Sequence, residues 1–332
     1  MKLRLTLALA AAVLGCGTVR AADAGKAEPP KPRPLKQLMK DLGSDNWLVR
    51  QGATEQLGVL GKPALAKVIA ALSSDNAHLR RGACDAIIAI RKTPRGMSRE
   101  QANARAAEIN PATEPAIKPL VKLLADDKDA WVRAGAAEAL KFFGKDAREA
   151  AGKDLAKALA NAIICRDEDL WVRREAMNAL RPTGAEADLD PATMVKIYTE
   201  ASLFTDIMFR GGPLKKLGEF GPDASPAVPV LIRFVEKFYT TGKDSRAGIY
   251  AARALGAIGA TARPALPILR KLAADGPQGL VVEYKSGASL EMGKADAAEA
   301  IAKIEAAMKK PDKTDNDAHN ADKPSAKKGA DQ

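Results

Sequence analysis

The sequence predicts an all-α fold, an α-α superhelix of about seven helical hairpins stacked in a row, and three observations predict it. A frame of Arg, Ala, Leu and Gly recurs at fixed offsets between residues 35 and 308. Pro-Ala pairs open a second segment in most of the recurring units. The composition is 46% hydrophobic but only 4% aromatic, so small side chains supply most of the apolar content and helices can approach closely. An array of this kind needs no single large core, because each unit packs only on its neighbours.

The frame is anchored on Arg50, Arg80, Arg133, Arg173 and Arg210. Seven residues after each stands an aliphatic residue: Leu57, Ile87, Leu140, Leu180 and Leu217. Three residues after come Ala53, Ala83, Ala136 and Ala176, with Pro213 as the exception. Two later units keep the frame without the arginine, Gly248 leading to Ala251 and Leu255, and Lys294 leading to Ala297 and Ile301. Offsets of three and seven fall on one face of a helix, so Ala admits a neighbouring helix and Leu fills the groove beside it.

The end of each first helix is signalled eleven residues after the anchor by Gly61, Gly144, Gly184, Gly221 and Gly259, read as left-handed caps. The second helix then opens on Pro63, Pro115, Pro191, Pro226 or Pro264, each followed by Ala. Proline at the first helical position loses no hydrogen bond and arrives with φ already set. Four or five residues before each anchor stands an acid (Asp45, Asp75, Asp129, Asp169, Asp206 and Asp244), placed to cap the free N–H groups of the first helix. Two insertions interrupt the rhythm. Residues 91–114 contain a short helix expected over 98–109, and residues 276–293 form a long loop in which 280–284 are expected to extend.

Asp-Ala-Trp-Val-Arg at 129–133 and Asp-Leu-Trp-Val-Arg at 169–173, followed by Ala, Leu and Gly at these spacings, resemble HEAT repeats of the bacterial PBS lyase HEAT-like type. The resemblance covers about 35–308 and is closest in units 45–72, 127–160, 167–203 and 244–273. It implies a right-handed superhelix with first helices outside and second helices lining a concave surface. At about 9 Å between packed helices, seven units give an array about 60 Å long. The family name also points to bilin lyase subunits, so an enzyme or enzyme accessory is the alternative to a scaffold; no bilin-handling residue set carries over to these positions.

The ends read differently from the array. Lys2 and Arg4 precede an uncharged, largely apolar run over 5–14, too short to span a bilayer, and small residues follow up to Ala21 and Ala24. Residues 1–21, or 1–24 on the second cleavage site, are therefore expected to be an export signal peptide, which makes the protein periplasmic or secreted. A competing route is lipidation of Cys16 within Val13-Leu14-Gly15-Cys16, which would tether the protein to a membrane without a transmembrane span. Residues 25–34 form a Pro-rich linker, and 309–332 a charged tail expected to be disordered. Beyond Cys16 the cysteines are Cys84 and Cys165, both on helical patterns and expected as buried thiols rather than a bridge.

The net charge of +11 is spread thinly: excluding 1–34 and 309–332, the array carries +6 with both signs interspersed. Interspersed charge, sparse aromatics and export argue against nucleic-acid binding. Two histidines, His78 and His319, offer no catalytic constellation, and no metal-ligand spacing is present, so no enzyme, cofactor or metal is expected. The acids at 126–127 and 167–169 are read as caps and solvated loop residues, and Trp47, Trp131 and Trp171 as packing residues. The arginine row is read as pairing with the aspartate row between stacked units.

One set of residues points to a surface. Lys122, Arg233 and Lys271 lie seven residues after the Pro that opens a second helix, and Lys67, Lys118, Lys157 and Lys196 occupy nearby turns. If second helices line the inner side, these seven form a basic stripe suited to a protein partner of acidic character. The sequence thus predicts a non-catalytic, exported protein-interaction scaffold.

Overall fold

The computed structural model describes residues 33–94, 96–165, 168–204, 210–278 and 287–309, and among them there are helices and no strand. After a short α1 (Leu35–Leu42), the first helices of successive units are α2 (Trp47–Leu60), α4 (Ala77–Arg91), α7 (Ala130–Phe143), α9 (Leu170–Thr183), α11 (Gly211–Glu219), α13 (Ser245–Ile258) and α15 (Gly287–Met308). Each carries one of the seven sequence anchors or directly follows it. The second helices are α3 (Lys62–Ala71), α6 (Ile117–Asp126), α8 (Lys145–Ile164), α10 (Pro191–Phe204), α12 (Val228–Thr241) and α14 (Leu266–Asp275). Among the described residues the array is therefore six hairpins followed by α15. The insertion helix is α5 (Arg99–Thr113), longer than expected, with Ser98 and Gln101 forming a reciprocal capping box. Residues 280–284 of the second insertion lie outside the described residues.

First helices stack on one another as α2–α4–α7–α9 and again as α11–α13–α15, and the two stacks are joined through α10, which packs on α8, α9 and α11. The repeat frame explains the contacts. Ala53, Ala83, Ala136, Ala176 and Ala251 are fully buried, as are Leu57, Ile87, Leu140, Leu180, Leu217 and Leu255. Gly248, which stands where other units have the anchor arginine, packs tightly on α12: a Cβ there would stand 2.3 Å from Phe238 Cβ.

Three local expectations change in detail. Gly61, Gly144 and Gly259 do have positive φ (67°, 57° and 78°), but their ψ values near −131° to −135° put them outside the left-handed helical region. Gly184, at φ 72° and ψ 14°, is the left-handed cap expected, whereas α11 ends on Phe220 and Gly221, with φ 55°, opens the following 3-10 turn. Pro191 opens α10 and Pro63 is the second residue of α3, whereas Pro115, Pro226 and Pro264 sit in 3-10 turns (Glu114–Ala116, Gly221–Ala227 and Gly259–Ala265) that lead into α6, α12 and α14. Capping is split: Asp129 and Asp169 cap α7 and α9 through the N–H groups of Trp131 (2.9 Å) and Trp171 (2.7 Å). At α2 and α4 the cap is instead Asn46 and Asn76, one residue after the expected aspartates. Asp244 caps nothing and is held at φ 60°. Asp206 lies outside the described residues.

Three arginines of the anchor row reach the loop that opens the next unit and Arg173 reaches the second helix of its own, and only Asp244 among the four acids is one of the aspartates expected. Arg80 is bidentate on Asp127 (2.6 and 2.9 Å) and Arg133 on Glu168 (2.8 and 2.6 Å); Arg173 reaches Glu200 and Arg210 reaches Asp244. The capping aspartates are thus distinct from the pairing acids, because a carboxylate turned onto its own helix N-terminus faces away from the neighbouring unit. The same arginines also clamp their own loops: Arg50 donates to the carbonyls of Ser44 and Asp45, and Arg80 to those of Ser74 and Asp75. Hydrogen bonds to both partners hold the guanidinium charge; the carboxylate of Asp127 keeps the Arg80 pKa above its ordinary value.

Candidate functional site

All seven stripe residues sit on second helices and are exposed: Lys67 on α3, Lys118 and Lys122 on α6, Lys157 on α8, Lys196 on α10, Arg233 on α12 and Lys271 on α14. None of the seven takes part in an ion pair among the described residues. They differ in this from the arginines of the first helices, whose charge is spent inside the fold. The frame dictates the difference. Positions 118, 122 and 157 lie on the side of their helices away from Leu120, Leu124 and Leu155, which are buried in the core.

The structure gathers three of the seven. Lys118, Lys122 and Lys157 line one cavity of about 860 Å3 between α6 and α8, over an apolar floor that includes Val121, Leu124 and Ala158. Asp126, Asp154 and Glu168 are also on its rim, but Glu168 is bound by Arg133. Three unpaired cations therefore face two unpaired carboxylates. The other four stripe residues lie outside this cavity, singly on their helices. α8 is shaped for the role by a break at Gly152 (φ 47°, ψ −127°), after which residues 153–164 run as the helix that forms the cavity wall.

Other expectations resolve as follows. Trp47 and Trp171 are 61% and 44% exposed, so the packing role holds only for Trp131. Trp131 receives Arg50 and Arg81 on its ring at 4.8 and 5.6 Å and His78 edge-on at 5.4 Å. Trp171 instead flanks Arg81 at 5.3 Å from the solvent side. Arg81 escaped the sequence reading because it stands one residue after an anchor, in a unit whose neighbours have Gln51, Ala134 and Arg174 there. It crosses over Gly135 of α7, where a Cβ would lie 2.6 Å from its side chain, and pairs with Asp85 and Glu138.

Cys84 is buried as expected, and burial pushes its thiol pKa well up; Cys165 is exposed at the end of α8, on the rim of the cavity, which corrects the expectation. Both are free thiols. His78 Nε2 lies 3.4 Å from Asp45, and His319 falls outside the described residues. Among the described residues no group of three or more His, Cys, Asp or Glu could hold a metal ion. No helix among them is long and apolar enough to cross a membrane.

The sequence matches the family described as HEAT repeats over residues 32–141 and 117–195. No curated protein matches the chain. Similar solved structures include two engineered proteins, each 19% identical over 82% of this chain. The matches cover 97% and 78% of those chains, with TM-scores of 0.32 and 0.40. Human deoxyhypusine hydroxylase in complex with glycerol is 21% identical over 82% of this chain and 96% of its own, with a TM-score of 0.30. Scores this low carry no argument about what the chain does.

Proposed function

Because the chain belongs to the HEAT-repeat family, whose stacked hairpins offer extended surfaces for contact, we propose that it is a non-catalytic scaffold that holds an acidic protein segment along its second helices. One observation carries this reading: the seven stripe cations take part in no ion pair among the described residues, whereas Arg80, Arg133, Arg173 and Arg210 of the anchor row are each held by an acid inside the fold. The cavity between α6 and α8 is the anchor, where apolar side chains can settle on Val121 and Leu124 while carboxylates meet Lys118, Lys122 and Lys157. Asp126 and Asp154 favour a segment with hydrogen-bond donors between its acids.

The test is titration of a fluorescent peptide alternating Glu with Leu and Ser. Replacing Lys118→Glu, Lys122→Glu and Lys157→Glu together should weaken binding at least tenfold, about 1.4 kcal/mol. Reversal of Lys215 and Lys303, which pair with acids on their own helices, should not. Equal affinity in all three proteins would refute the reading. The contacts are exposed, so binding should also weaken as salt shortens the screening length to about 8 Å at physiological strength.

The reading extends to location. Lys2, Arg4 and the apolar run over 5–14 support export, ending in cleavage after Ala21 or Ala24 or in lipidation at Cys16. The intact mass of the protein recovered from the producing cells distinguishes the three, and a mass retaining Met1 or its neighbours would remove export from the proposal.

A further inference from the structure

The cavity between α6 and α8 is electrically lopsided along its length, and the fold fixes which end is which. Arg133 of α7 donates both to the main-chain carbonyl of Asp127, just past α6, and to the carboxylate of Glu168, just past α8. The C-terminal ends of the two helices therefore meet at one place, and α6 runs parallel to residues 153–164 of α8. Lys118 and Asp154 are the second residues of these two helical stretches and share the opposite end. Lys122 and Lys157 follow one turn later, beside Val121 and Ala158, and Asp126, Asn161 and Cys165 come last.

Charge is divided accordingly. Towards the N-terminal ends, Lys118, Lys122 and Lys157 stand against the single carboxylate of Asp154. Asp126, at the other end, is exposed and takes part in no ion pair among the described residues. It lies eight residues from Lys118, about 12 Å along α6. Glu168 adds no free charge there, because Arg133 holds both of its oxygens. The helix dipoles act in the same sense, positive where Lys118 opens α6 and negative where both helices end. A segment that is acidic throughout and fills the cavity would therefore meet repulsion at Asp126.

We propose that the peptide segment held here carries a basic residue as well as its acid, in a set order along the cavity. The acid lies over Lys118, Lys122 and Lys157, an apolar side chain rests on Val121 and Leu124, and arginine or lysine pairs with Asp126. This rests on the reading of the cavity as the anchor for an acidic segment, and adds to it the charge order of the partner. In an extended segment, side chains two apart face the same way and each residue advances about 3.3 Å. Acid, apolar residue and base at positions i, i+2 and i+4 therefore span about 13 Å, which matches the run from Lys118 to Asp126. Asn161, exposed at the same end, offers its side-chain oxygen as a second acceptor for the base.

Two labelled peptides test it on the full-length protein, one carrying Glu-Ser-Leu-Ser-Arg and the other Glu-Ser-Leu-Ser-Gln within the same Gly-Ser flanks. Asp126→Lys should weaken the arginine peptide about tenfold and leave the glutamine peptide as tight or tighter. Asp154→Lys, at the opposite end, should tighten both alike. Moving the arginine to the other face of the peptide, as Glu-Arg-Leu-Ser-Gln, should remove the loss caused by Asp126→Lys. An equal response of the first two peptides to Asp126→Lys overturns the charge order, as does a loss of the arginine peptide confined to Asp154→Lys; either leaves the acidic-segment reading standing. A glutamine peptide indifferent to joint Lys118→Glu, Lys122→Glu and Lys157→Glu overturns that reading, and the charge order with it. Circular dichroism confirms that the helices are kept, and Asp126→Asn, with a loss of about threefold for the arginine peptide alone, serves if the lysine variant perturbs α6.

Discussion

Cutting the ion pair between Arg80 and Asp127 tests how the units are held together. The pair is bidentate and nearly dry, the side chains being 9% and 4% exposed. It spans from α4 to the loop before α7, across the insertion. Asp127→Ala leaves a buried guanidinium with only the carbonyls of Ser74 and Asp75, and Arg80→Met leaves a buried carboxylate with the N–H of Asp129. Removing one member of a buried pair costs about 3–5 kcal/mol; the retained hydrogen bonds place each single change near the lower figure, about 3 kcal/mol. Removing both leaves no orphaned charge, so Arg80→Met with Asp127→Ala should cost about 3 kcal/mol rather than about 6, a coupling of about 3 kcal/mol. Urea unfolding of the four proteins measures the cycle. Hydrogen exchange locates the loss, because a repeat array opens by segments, and protection should fall in α4, α6 and α7 while α12 and α14 keep theirs. Single effects that add to within about 0.5 kcal/mol, or protection lost evenly along the chain, would refute the account of arginines as inter-unit ties.

Two further outcomes follow from packing and burial. Gly248→Ala drives a Cβ into the buried ring of Phe238, which must move with α12, so stability should fall by at least 1–3 kcal/mol. Gly212→Ala, where nothing lies within 4 Å, should leave the unfolding midpoint unchanged or raised; equal losses at both sites would show that helix spacing is not set by Gly248. In the folded chain lacking residues 1–21, a thiol reagent should titrate Cys165 alone, with Cys84 reacting only in denaturant; two fast thiols would contradict the packing of α4.

The fold was open to reading because a repeat writes its physics several times over. A single Ala at 136 or Leu at 140 says little, but the same pair at 53 and 57, and at 176 and 180, reports one buried face used again and again. Fine geometry was less open. Asp129 and Asn46 both cap a helix although the aspartate at 45 occupies a similar place, because the cap depends on loop length, which differs by one residue between those units. The three tryptophans look equivalent in sequence, yet only Trp131 has cationic and histidine neighbours from two other units around its ring. The stripe was legible as exposed positions at regular offsets. Its gathering at one cavity was not, since that depends on α6 and α8 packing together and on the break at Gly152.

The sequence by itself determined the helices, their pairing into hairpins and the layer to which each belongs, because those follow from short-range periodicity and from glycine and proline at the joints. Tertiary structure alone decided which acid each arginine meets and which lysines share a cavity. Those outcomes depend on how units separated by 30 to 50 residues settle against one another, and local spacing carries no information about a neighbour's side chains until the two are packed.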